Sequence, residues 1–99
     1  MDNEITQINC ELIGFVGEAK SCFVEALDLA LEGKKEEALN AIKEGRKAFN
    51  EGHKVHAKLL TKMANGEKVE MDLLAVHAQC QMMSAEDFMI LAQKAVGRL

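Results

Sequence analysis

Apolar residues recur at alternating spacings of three and four along almost the whole chain, and no proline interrupts them. Such a repeat lines one face of a helix, and proline is the residue that most reliably breaks one, so the pattern demands long helices. The first run covers about residues 4–31, with Ile5, Ile8, Leu12, Phe15, Ala19, Cys22, Ala26 and Leu29 on its seam. Ile13, Val16, Phe23, Leu27 and Ala30 widen that face toward a second neighbour. Gly33 ends the run, and a second seam over residues 34–63 carries Ala38, Ile42, Gly45, Phe49, Gly52, His56, Leu59 and Met63. Each seam glycine costs roughly 1 kcal/mol of helix propensity against alanine, which close approach of another helix would justify. Asn65-Gly66 stops the second helix, residues 67–71 connect, and Asp72 reads as the N-cap of a third helix over 72–97. The fold class is all-α, three long antiparallel helices in a single domain spanning residues 1–99.

Helices of about 28 residues are roughly 42 Å long, more than a compact three-helix monomer of this size needs. Wide apolar faces on such helices, in a chain of 99 residues that is 48% apolar, predict an oligomeric bundle that covers them.

Charge and composition exclude several function classes. The net charge is −4 and no Lys/Arg cluster dominates a face, so neither nucleic acid nor an anionic membrane surface is an expected partner. Four Phe with no Trp or Tyr leave little to stack on bases or sugar rings. Cys10, Cys22 and Cys80 form an odd set without a C-x-x-C pair, which suits a reducing cytoplasm. Met1-Asp2-Asn3-Glu4 lacks the basic residues of a signal peptide, and no apolar run approaches the roughly 18 residues of a membrane span.

The third helix holds the residues that could carry chemistry. Along it the line Leu74, His77, Gln81, Ser84, Phe88, Leu91, Ala95 reads as a buried stripe interrupted by a polar notch. A buried polar group costs on the order of 1–3 kcal/mol unless it is partnered, so the notch is either a satisfied network or a site. A neutral imidazole is a competent nucleophile, and Gln79, Gln81 and Ser84 offer hydrogen bonds to an anionic oxygen near His77. The helix N-terminus, about one turn away, adds its dipole. His53 and His56 stand one turn apart on the second helix and approach the level of His77 if the helices are antiparallel. His53, His56, His77 and Cys80 also make two i, i+3 pairs, a donor set that zinc could use, although without zinc-finger spacing. Cys80 lies on the neighbouring line Leu73, Val76, Cys80, Met83, Ile90 and reads as a small buried hydrophobe. A helical scaffold or interaction protein without chemistry is the alternative to a reactive His77.

Asn50-Glu51-Gly52-His53, Gly66-Glu67-Lys68-Val69 and Leu73-Leu74-Ala75-Val76-His77-Ala78-Gln79 occur in an order and spacing that resemble the lactose/cellobiose-type enzyme IIA of the bacterial sugar phosphotransferase system. The resemblance spans nearly the whole chain. It implies a cytoplasmic phosphocarrier that takes a phosphoryl group from phospho-HPr onto His77 and passes it to a cysteine of enzyme IIB. It also implies a homotrimer, with three helices per subunit forming a nine-helix bundle, and a supporting role for Gln79 and His53.

The chain departs from that family's usual V-H-A-Q-D-H-L-M at two positions, reading Val76-His77-Ala78-Gln79-Cys80-Gln81-Met82-Met83. In such proteins the aspartate resembles a metal-binding cluster on the trimer axis. A thiol is a poor ligand for a hard cation, so no Mg²⁺ site and no cofactor are expected here. Gln81 stands where the pattern has a second histidine, and His56 stands where it more often has glutamine. The sugar remains open, whether lactose, cellobiose or chitobiose.

Overall fold

A computed structural model describes residues 3–99, of which three α-helices form the body: α1 (Asn3–Leu31), α2 (Lys35–Ala64) and α3 (Leu73–Val96). Each end lies within a residue of the expected one. The stops are glycine caps. Gly33 (φ 76°) and Gly66 (φ 81°) adopt the left-handed conformation that side chains disfavour. The chain then closes back, Lys34 N–H donating to Leu29 O at 2.9 Å and Glu67 N–H to Lys62 O at 3.0 Å. Asp72 caps α3 as its sequence position predicts, its Oδ1 accepting from the Ala75 N–H at 2.9 Å. The molecule measures 48 × 21 × 16 Å, and α1 and α2, of 29 and 30 residues, run nearly its full length.

α1 lies at the centre. It packs along both other helices, whereas α2 and α3 touch each other only sparsely. Its fully buried line is Ile5, Ile8, Leu12, Val16, Ala19, Phe23, Ala26 and Ala30. Phe15, Cys22 and Leu29, placed on the seam by the sequence, are half-buried instead. A helix wedged between two neighbours centres its face between them, one residue along from the coiled-coil line. On α2 the same shift buries Ala48 and Val55, leaves His56 half-buried and exposes Met63.

The third helix departs most from expectation. Its buried stripe is Ala75, Ala78, Ala85, Ala92 and Val96, with Met82 and Met89 packed beside it. The line through His77, Gln81, Ser84 and Phe88 runs along a flank, with His77 and Leu91 exposed and the others half-buried. Cys80, expected to be buried, is exposed. Small alanines let α3 approach α1 closely, and that face wins over the line with larger residues because close packing along the whole helix recovers more contact.

Close approach also explains the α2 glycines. A Cβ on Gly45 would stand 2.5 Å from Phe23 Cε1 and 3.0 Å from Cys22 Cβ, and one on Gly52 would stand 3.1 Å from Val16 Cγ1. Phe23 is fully buried and meets the Phe49 ring edge-on at 6.4 Å, so it has no room to swing aside. The clash at Gly45 should therefore outweigh the helix-propensity gain of roughly 1 kcal/mol from alanine. Gly45→Ala is expected to lower the urea midpoint, with a net loss of about 1–2 kcal/mol. A rise in the midpoint would show that the α1–α2 interface can spread at no cost.

Candidate functional site

α3 presents its polar residues on two different flanks, and its contacts identify which is which. Gln79 faces α2, where its Oε1 lies 3.2 Å from His56 Nε2. Phe88, on the line of His77, Gln81 and Ser84, faces α1, with the Lys20 ammonium 5.1 Å from its ring centroid. Successive helical residues turn by about 100°, so residues two apart point to nearly opposite sides. His77 and Gln79 are separated in that way.

The expected site residues thus fall into two groups. His77 is exposed, with half-buried Gln81 and Ser84 one and two turns further along the same flank. Gln79, His56 and His53 belong to the α2 side. A glutamine carbonyl oxygen can only accept, so His56 Nε2 carries a proton and donates it to Gln79. His53 is exposed and set edge-on against the buried Phe49, ring centroids 4.7 Å apart. The two groups do not meet within one chain.

Within one chain this separation keeps the zinc donor set apart. Among the described residues no three His, Cys, Asp or Glu side chains come close enough to hold a metal ion. His53 and His56 look toward one side of α3 while His77 looks away from it, so the four donors His53, His56, His77 and Cys80 never converge in a subunit.

The start of α3 is already occupied electrostatically. The Asp72 carboxylate sits on the Ala75 N–H, a negative charge at the positive end of the helix dipole. A further negative charge near this end of α3 would have to be met mainly by side chains. Of the cysteines, Cys22 is unsuited to chemistry: burial first, then Glu18, Glu25 and Glu44 around it, push its thiol above the ordinary value.

A strip of apolar side chains lies between the two flanks of α3, facing outward. Leu73, Val76, Met83 and Ile90 are 85, 43, 57 and 41% exposed, and exposed Cys80 sits among them. Nothing in the sequence's three-four pattern separates this line from the buried one; only the docking of α1 does.

A family model describing the lactose/cellobiose-specific IIA subunit of the phosphotransferase system (PTS) matches residues 7–98. The chain belongs to that family. It is 39% identical over 82 residues to the galactose-specific EIIA component of Lactococcus lactis subsp. cremoris (strain MG1363), covering 83% of this chain and 71% of that protein. It is 38% identical, with the same coverage, to the cellobiose-specific EIIA component of Lactococcus lactis subsp. lactis (strain IL1403). In three dimensions it is similar to the crystal structure of the cellobiose-specific enzyme IIA from Bacillus anthracis, with a TM-score of 0.92 at 36% identity, over 98% of this chain and 89% of that one. Membership makes this IIA chain a phosphocarrier component of PTS sugar uptake. No helix among the described residues is long and apolar enough to cross a membrane.

The cap that begins α3 sets where His77 stands. Asp72→Ala is expected to cost about 1 kcal/mol of stability, read from urea unfolding, and to increase amide exchange in the first turn of α3. Unchanged exchange there would mean that packing of Ala75 and Ala78 holds the turn alone.

Proposed function

We propose that His77 is the phosphoryl acceptor of this IIA chain, loaded by phospho-HPr and unloaded onto a cysteine of enzyme IIB in the cytoplasm. The observation that carries the reading is the exposure of His77 beside an outward apolar strip, where a protein donor can reach it. A ring nitrogen of His77 attacks phosphorus with its lone pair as the bond to the HPr donor breaks. In the second step the IIB thiolate attacks the same phosphorus, and the P–N bond to His77 breaks and returns its electron pair to the ring. Both steps are in-line displacements that depend on positioning and charge stabilisation. Gln81 and Ser84 lie on the same flank as His77 and are the donors nearest to it along the helix.

The active form is a homotrimer with three α3 helices about its axis, a nine-helix bundle. The exposed strip of Leu73, Val76, Met83 and Ile90 supports it, since a patch with a coiled-coil repeat invites parallel copies of itself. Cys80 then lies in the interface, where the family pattern has an aspartate. Its soft sulfur does not suit a hard divalent cation, so no resident Mg²⁺ is part of the reading.

Incubation with phosphoenolpyruvate, enzyme I and HPr should add one acid-labile, base-stable phosphoryl group per chain, and His77→Ala should abolish it. Absence of HPr-dependent phosphate on the wild type would favour a helical scaffold without chemistry. Light scattering should give three times the chain mass, and Cys80 should alkylate far more slowly in the native assembly than in urea. Equal rates would remove the α3 strip from the interface.

A further inference from the structure

Among the described residues Asn9 is the one buried polar side chain: it is 1% exposed, and its Oδ1 has no hydrogen-bond partner. A buried acceptor without a donor is costly, so its presence in a core otherwise made of apolar side chains asks for a donor nearby. The packing of α1 on α3 points to which one. α2 runs antiparallel to α1, with Gly45 against Phe23 and Gly52 against Val16. It is antiparallel to α3 as well, His56 meeting Gln79 while Leu39 and Ile42 share a cleft with Gln93 and Val96. α1 and α3 are therefore parallel, and equal steps along the two stay level. Lys20 of α1 meets Phe88 of α3, its ammonium 5.1 Å from the ring centroid. Asn9 precedes Lys20 by the same eleven residues by which His77 precedes Phe88. Such a step is three turns and about 20°, so it returns to the same face of each helix and sets Asn9 across from His77. The contacts through α2 agree to within about a residue, since Gly52 lies on Val16 and His56, one turn further on, meets Gln79.

We propose that Asn9 is a positioning residue for His77, its Oδ1 accepting the N–H of the ring nitrogen that does not carry phosphorus. This rests on the phosphocarrier reading of His77 above and needs no second subunit. A neutral imidazole has one N–H and one lone pair, and an inward acceptor for the N–H leaves the lone pair aimed outward at the donor protein. As the N–P bond forms, the ring gives up electron density and its N–H becomes a stronger donor. The bond to Asn9 is then tighter in the transition state than before it, and it speeds both loading and unloading. In the unphosphorylated chain His77 is exposed and the Asn9 oxygen is unpaired; the imidazole turns about its side-chain bonds to meet that oxygen as the phosphoryl group arrives. Gln81 and Ser84, on the outer part of the same flank, remain the donors to the phosphoryl oxygens.

Stability and phosphate uptake, measured on the same variants, decide it. Leucine has nearly the branched shape of asparagine and removes the unpaired acceptor, so Asn9→Leu should keep the urea midpoint at or above that of wild type. Its uptake of phosphate from phospho-HPr, followed by intact mass, should nonetheless be about tenfold slower, the low end for losing a hydrogen bond to a charged group. In ¹⁵N-histidine NMR of the phosphorylated wild type, the remaining ring N–H of His77 should be visible and slow to exchange, and in phosphorylated Asn9→Leu it should exchange too fast to detect. Asn9→Asp, which keeps an acceptor oxygen on a side chain of the same size, should regain most of the wild-type rate. Asn9→Ala takes the place of Asn9→Leu in the same comparison if the leucine variant does not fold. A folded variant without the acceptor that is as fast as wild type, a ring N–H that exchanges equally in both, or an Asn9→Asp as slow as Asn9→Leu overturns the proposal while the phosphocarrier reading stands. A wild type that accepts no phosphate overturns both.

Discussion

The fit of α1 against two faces made of small residues is the constraint on which the rest depends. α2 offers Gly45 and Gly52 to Phe23, Leu12 and Val16, and α3 offers Ala78, Ala85 and Ala92 to the other side of the same helix. Burial of apolar surface favours whichever arrangement brings the helices closest along their length. Once the alanine face of α3 is committed to α1, its larger apolar side chains have no partner within the chain. They turn outward, and His77 is carried to the surface with them.

The position of His77 is therefore a by-product of core packing. The role proposed for His77 calls for an exposed ring on a rigid support. α3 supplies both, because its first turn is capped by Asp72 and its inner face is held by Ala75 and Ala78. The sparse contact between α2 and α3 puts one hydrogen bond, His56 to Gln79, at their junction.

The metal question follows from the same geometry. A line of donors at i, i+3 spacing on paper becomes a site only if two helices turn those residues toward one point. Here the histidines of α2 and the His77–Cys80 pair of α3 do not come together among the described residues. Spacing along one helix was informative about faces; it carried no information on which faces meet.

Helix number, boundaries and both glycine stops were legible in the sequence, because local chemistry decides them: left-handed turns at Gly33 and Gly66, a carboxylate cap at Asp72 and an apolar repeat without proline. The motif around His77 was likewise readable, since it is a contiguous string of residue types, and it pointed to the phosphotransferase family that the comparisons establish. Three things were decided only in the tertiary structure: which of two similar lines on α3 is buried, that Cys80 is exposed, and that Gln79 belongs to His56 and not to His77. Each depends on how one helix is rotated against another. A three-four repeat leaves that rotation open when adjacent lines are both apolar, and it is settled by the close approach that alanine and glycine allow.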